Sequence, residues 1–424
     1  MKKKIIFILL MLTIQLSCYN DLNDLIYEFS ELNEPICVIL GSSLNGTGRG
    51  WAQAKSTIQG AIDIASSGDE IWIAGDTVLS SSLTITKSVS LYGGFNGTEK
   101  KRNEAKGMTR ITLTGLLTNV NSVPEILLSR MIISNGNLGI GVISIGGSTN
   151  AVISGCCFEN NGMVNNSNAL ISIQGTASLI ISNSDFINNA NSYGQIYSNS
   201  TNVIKISNCN FIGNSAGSNG AGAVSCVLGS LFISQNCNFI GNTAIHGGAI
   251  GFTGNELNIS DNCRFEGNST SRGGGGAIAA NQCRLLISDN CEFINNYSQL
   301  DTNNEGGGTI SVSNSNIEIK GYCKFIGNYS NVADSLFGGG VIYAFFNTPK
   351  SFIISDNCLF EGNYTSHSGG AIYIRDEVPV NIEFSESSFL NNSALKGGAI
   401  YRFSNSEINL NNCTFSGNTP NDID

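Results

Sequence analysis

From residue 158 onward, phenylalanine returns at near-regular intervals, and asparagine follows it three positions later every time. The ten anchors are Phe158, Phe186, Phe211, Phe239, Phe265, Phe293, Phe325, Phe360, Phe389 and Phe415, at spacings of 28, 25, 28, 26, 28, 32, 35, 29 and 26 residues. Their partners are Asn161, Asn189, Asn214, Asn242, Asn268, Asn296, Asn328, Asn363, Asn392 and Asn418. Cysteine stands two before the Phe in eight units (Cys156, Cys209, Cys237, Cys263, Cys291, Cys323, Cys358, Cys413), with Ser184 and Ser387 in the other two. A pattern held at one offset through ten units is a repeat architecture, whose units stack rather than fold alone.

Two further motifs complete the unit. Gly-Gly-Ala-Ile occurs at residues 247–250, 275–278, 369–372 and 397–400, with variants at 307–310 and 339–342. A short apolar stretch precedes each Cys, as in Leu231-Phe232-Ile233 and Leu285-Leu286-Ile287. Each unit therefore holds three short strand-like runs separated by Asn, Ser and Gly, and none has the length of an ordinary helix. The expected fold is all-β: a parallel β-solenoid with three short strands per coil. In Cys-x-Phe the outer residues share a face, because strand side chains alternate. Cys and Phe then point inward, and the middle residue (Arg264, Glu292, Lys324, Thr414) points outward. Ten coils at about 4.8 Å each give about 48 Å of stacked repeats. The Asn after each Phe is expected at a bend, with a left-handed backbone and stacked amides. The Gly pair is expected at the next corner, where φ is positive or a Cβ would clash.

The segment before the repeats reads differently. Ala54, Ile58, Ala61, Ile62 and Ala65 lie on one helical face, with Gly68 placed as a C-cap. This amphipathic helix is expected to cap the open end of the first coil. Strands are expected at Glu70–Ala74, Leu83–Ile85 and Val89–Tyr92. The resulting organisation is residues 1–18 as an export signal, 19–50 as a linker, 51–154 as cap helix and irregular coils, and 155–424 as regular repeats continuous with them.

Composition narrows the functions. Lys2 to Lys4 precede an apolar run from Ile5 to Leu12, too short to span a bilayer, which reads as a secretory signal. Cys18 after Gln15-Leu16-Ser17 is a candidate lipidation site; ordinary cleavage near Ser17 is the alternative. A formal charge of −10 excludes nucleic acid as a partner, and leaves a membrane only through a lipid anchor. Two His residues exclude a His-rich metal centre.

The Phe-x-x-Asn and Gly-Gly-Ala-Ile motifs, recurring in phase from Gly155 to Asn418, resemble the passenger repeats of the chlamydial polymorphic membrane proteins. That resemblance implies a right-handed parallel β-helix, exported to the cell surface or outer membrane and associated there with adhesion. The family's autotransporters end in an outer-membrane barrel. The last repeat here ends near Asp424, so another anchor or plain secretion is expected. Arg49-Gly50-Trp51, the run 67–73 and the run 91–97 resemble the entry region of secreted pectate-lyase-like β-helices.

The candidate chemistry is sparse. The Cys ladder reads as a stack of small buried hydrophobes, since its spacing lacks the close pairs of zinc sites. His246 and His367, each just before a Gly-Gly corner, read as exposed turn residues. Asp261, Asp289 and Asp356 share one offset, where turn geometry explains an acid without Ca²⁺. Arg375-Asp376-Glu377 is the densest charged cluster in the repeats and reads as a turn cap. No cofactor and no catalytic residue is expected, so the chain reads as a non-catalytic surface protein for adhesion or display. A polysaccharide lyase or hydrolase on the same scaffold, and a purely structural spacer, are the alternatives. The two longest coils carry extra residues at 298–305 and 331–337. Asp301, Glu305, Asp334, Leu336 and Phe337 are the candidate contacts there for a host or matrix protein or a glycan.

Overall fold

The computed structural model describes residues 34–79, 82–113, 118–121, 123–134, 142–162, 169–217, 220–299, 306–331, 337–403 and 406–424. Within them the chain winds as a parallel β-solenoid. Three long ladders run its length, and every pairing between their strands is parallel. An aliphatic ladder of 14 strands runs from Ile36–Ile39 to Ile408–Asn411. A Phe ladder of 13 strands runs from Thr77–Leu79 to Thr414–Ser416, and a Gly-Gly-Ala-Ile ladder of 12 from Leu83–Ile85 to Ile400–Phe403. A fourth ladder of seven short strands, Ala190–Asn191 to Tyr364–Thr365, follows the conserved-offset Asn and was not expected. Its strands are two or three residues long, too short to leave a periodic signal.

The alternation behaves as expected. Phe158 through Phe389 are fully buried, and Phe415 in the last coil is half-buried. Neighbouring rings stack at 4.5 to 5.0 Å between centroids, tilted by no more than 10°. In three successive coils the residue between Cys and Phe carries charge, and Glu292 pairs with both Arg264 (2.7 Å) and Lys324 (3.1 Å) from the coils on either side.

The asparagine after each Phe is buried and bonds in both directions along the axis. Its Nδ2 donates to Oδ1 of the next ladder Asn at 2.9–3.1 Å, from Asn161 through Asn392. From Asn189 to Asn418 the same Nδ2 donates to the carbonyl of the Phe one coil back at 2.8–3.0 Å. The backbone N–H of each of the first nine donates to the next Oδ1 as well. The left-handed backbone belongs to the residue before the ladder Asn. That position has φ between 51° and 67° and holds only Gly or Asn, for example Asn160, Gly267 and Asn295.

The glycine pair divides two tasks. The first glycine has positive φ, as at Gly275 (77°) and Gly369 (73°). The second is excluded from bearing a side chain by the neighbouring coil: a Cβ on Gly276 would press on the carbonyl oxygen of Gly308.

At the N-terminal end, the helix is Ile58–Ile64, shorter than its apolar periodicity suggests, and Thr57 caps it by accepting from Gly60 N–H at 3.1 Å. Ile58, Ala61 and Ile62 are buried against the first coil. The helix ends on Ala65; Gly68 lies in the following turn with φ 96° and is not its C-cap. Within the segment expected as a linker, Ile36–Ile39 forms a strand paired in parallel with residues 71–74. Trp51, Trp72 and Phe95 pack into a separate small core, with Trp72 stacked on Phe95 at 4.7 Å. No described helix is long and apolar enough to cross a membrane.

Three substitutions test this account. Phe293→Ala, in the middle of the stack, is expected to lower the unfolding free energy by about 3–5 kcal/mol in chemical denaturation. Gly276→Ala should be destabilising because it forces two coils apart. Gly267→Asn, at a left-handed position open to solvent, should be tolerated because Asn already fills its equivalents.

Candidate functional site

The outward face of the Gly-Gly-Ala-Ile ladder holds a row whose side-chain size changes in blocks along the axis. In each strand the Ile points inward and the next residue points outward. In register, that outward row reads Tyr197, Ser225, Gly251, Ala279, Ser311, then Tyr343, Tyr373 and Tyr401. The final three tyrosines pack on one another at 5.5 and 5.2 Å, and Phe337 lies on Tyr343 at 5.7 Å. Tyr193 and Tyr197 form a second aromatic pair at 5.0 Å. Between the two aromatic groups the four small residues leave a trough of about 390 Å³.

Ser225, Gly251, Ala279 and Ser311 floor the trough, and Thr253, Asn281 and Ser313 stand on its rim. Tyr197 lines one end. At the other, Ser311 is followed in register by Tyr343, which refills the row. His246 supplies the imidazole of the lining, and it packs over Gly273 of the next coil. No Asp, Glu, Lys or Arg lines the trough among the described residues. Cys226 is buried beside it; its thiol donates to the Leu228 carbonyl at 2.9 Å, and burial pushes its pKa up to about 11. Burial also raises the Tyr197 phenol above its ordinary value. The lining therefore offers hydroxyls, amides, one imidazole and a ring face.

The described flanks of the two insertions lie near one end of this trough: the Gly306 carbonyl oxygen and Ser311 both border the space a Gly274 side chain would fill. Asp301, Glu305, Asp334 and Leu336 lie outside the described residues, but the flanks of both insertions are described. They depart from Tyr297–Gln299 and Tyr329–Asn331, which pair residue for residue with their tyrosine rings stacked at 4.9 Å. They re-enter at Gly306 and Phe337, where Gly307 N–H donates to the Gly338 carbonyl at 2.8 Å. The departures and returns are thus stacked one above the other. Phe337 is buried against Tyr343 and Tyr373, so it pins its insertion to the solenoid rather than presenting a free side chain.

The other candidate residues fall elsewhere. Cys18 lies outside the described residues. The ladder cysteines are buried from Cys156 to Cys358 and are free thiols, as are Cys37, Cys226 and Cys283. Burial pushes Cys156 up to about 12; along the rest of the ladder the bond to the neighbouring thiol raises Cys209, Cys263, Cys291 and Cys358 and lowers Cys237 and Cys323, while desolvation raises every one. Asp261, Asp289 and Asp356 all have φ of 58°, a turn conformation Asp tolerates. No described group of three His, Cys, Asp or Glu is placed to hold a metal. His367 is half-buried, and its carbonyl accepts from Leu395 N–H at 2.7 Å. The Arg375 cluster is internally engaged: Arg375 pairs with Glu377 at 3.5 Å and lies over the Phe345 ring, and Ser406 hydrogen-bonds Asp376. The trough itself was missed by sequence reasoning. Its signal was present in the residue after each Ile of the Gly-Gly-Ala-Ile motif, which shifts from Gly, Ala and Ser to three tyrosines in succession.

The fold defines a parallel β-solenoid repeat protein. A family model for the Chlamydia polymorphic membrane protein (Chlamydia_PMP) repeat matches residues 357–375 and 386–401. Those stretches cover two successive coils, including Phe360, Asn363, Phe389, Asn392 and both adjoining Gly-Gly-Ala-Ile corners. With the solenoid, the match makes this a polymorphic-membrane-protein-like β-helix repeat protein. No curated protein and no solved structure matches the chain.

The thiols provide a check on burial. The Cys157 pKa is raised to about 11, chiefly by desolvation, so the group stays a thiol at pH 8 and becomes the reactive thiolate only as pH approaches that value. Maleimide labelling of native protein should therefore accelerate at Cys157 between pH 8 and 11. The ladder cysteines from Cys209 to Cys358 should label only after unfolding.

Proposed function

We propose that the chain is an exported, non-catalytic cell-surface β-helix that acts in adhesion, with the insertion side of the solenoid as its binding face. The observation that carries this reading is the stacking of the described flanks of both insertions, one above the other, near one end of the trough. Insertions confined to one side of a repeat protein commonly form its binding surface. The repeat match supports placement at the surface, since the family is one of membrane proteins. The trough's lining supports binding over turnover. A glycosidase needs two positioned carboxylates, and the lining supplies hydroxyls and amides. Attachment to the membrane is assigned to a lipid on Cys18.

The test uses the purified full chain on host cells and on immobilised matrix. Saturable binding without release of sugar products is expected. Replacing residues 298–305 and 331–337 by the short turn after Asn242 should leave the circular dichroism spectrum unchanged and reduce cell binding by roughly ten-fold or more. Unchanged binding in that variant removes the insertions from the binding face; polysaccharide turnover would reinstate the enzyme reading. Fatty-acid labelling lost on Cys18→Ala tests the anchor.

A further inference from the structure

We infer that the trough between Tyr197 and Tyr343 is a binding subsite for a neutral oligosaccharide. This rests on the adhesion reading and names the ligand class for one part of its face.

Shape comes first. The trough exists because four successive outward residues are small in a row that is otherwise tyrosine at both ends. Four coil steps of about 4.8 Å make it about 19 Å long. That is an elongated site, suited to a chain of sugar rings rather than to a single small molecule.

Chemistry selects the class. The apolar C–H face of a sugar ring packs on an aromatic ring, while its hydroxyls both donate and accept. Tyr197 supplies the ring at one end. Thr253, Asn281 and Ser313 follow one another at the same register position and present hydroxyl, amide and hydroxyl groups, which also donate and accept. Acidic sugars, sulfated glycans and phosphate call for Arg or Lys, and none lines the trough among the described residues. An extended peptide binds by adding a strand to an open sheet edge. The strands beneath the trough are paired on both sides, so no edge is offered. An amphipathic helix needs apolar pockets at its anchor positions, whereas this floor is Ser, Gly, Ala and Ser.

The filling variant is Ser311→Tyr. The Tyr343 ring lies against the space a Gly306 side chain would occupy, and the Tyr373 ring against that of Gly338. Ser311 lies in the same way against the space a Gly274 side chain would fill. A tyrosine at 311 therefore enters an environment the fold already accommodates next door.

The full chain is screened on a printed array of neutral and acidic oligosaccharides, and the strongest binder is titrated by calorimetry. The expected result is neutral-glycan binding that weakens at least roughly ten-fold in Ser311→Tyr with an unchanged melting temperature. Asn281→Ala, an exposed rim change that leaves the floor intact, should weaken the same ligand, and it serves as the readout if Ser311→Tyr lowers the melting temperature. Absence of neutral-glycan binding, a preference for acidic glycans, or binding unaffected by the variant read out overturns the inference. The two readings separate on cells. Saturable cell binding that survives both trough variants but is lost with the insertions leaves adhesion standing without the subsite. Failure of the unmodified chain to bind cells removes the adhesion reading whatever the array shows.

Discussion

From Asn161 onward, each coil of this protein is tied to its neighbours by one buried amide. The ladder Asn reaches back to a Phe carbonyl and forward to the next amide, while its Oδ1 accepts two bonds from the coil before. Asn268 therefore makes contact with three consecutive coils. A buried amide left unbonded costs about 1–3 kcal/mol per group, so the ladder is favourable only when every member is present and in register. That makes it a register device as much as a source of stability. One displaced coil breaks bonds in the coil before and the coil after. The Phe rings cannot do this alone, because stacked rings tolerate sliding. The hydrophobic term drives stacking, and the amide row sets where it stops.

The fold was legible because this device demands identity at every turn. Asn at one offset from Phe, ten times, has no other economical structural explanation. The two glycines were equally readable as a corner, though their separate reasons, positive φ at Gly275 and close approach of Gly308 at Gly276, needed the neighbouring coil. Two local features were misread for the same cause. The left-handed residue is the Gly or Asn before the ladder Asn, and the short strands after it were invisible. Both concern residues that vary in type while keeping one conformation. The strand Ile36–Ile39 was missed for another reason: its partner lies about 35 residues away and no repeat motif marks it.

The candidate site was less legible because outward positions carry no fold constraint. Gly251, Ala279 and Ser311 are interchangeable with tyrosine as far as the solenoid is concerned, since Tyr343 and Tyr373 occupy the same row on identical scaffolding. Nothing in periodicity distinguishes a small residue that makes a trough from one that merely faces water. The sequence pointed instead to the insertions, whose length stands out against a 25-to-29-residue unit. Of the residues named there, Phe337 packs on the tyrosine row.

That coupling between insertion and row is what gives the face its form. The tyrosines from Tyr343 onward are covered in part by Phe337, so the second insertion is anchored where the row is large. The trough opens where the row is small, and the first insertion returns at Gly306, between Tyr343 and the trough's last small residue in register, Ser311. Side-chain size along a single outward row thus sets both where an insertion is fastened and where a cleft is left open. The inward rows, fixed by ring stacking and amide bonding, are indifferent to either outcome. Along this solenoid Gly, Ala, Ser and Tyr exchange at one outward position per coil while the stacked rings and amide bonds that hold the coils together continue unbroken.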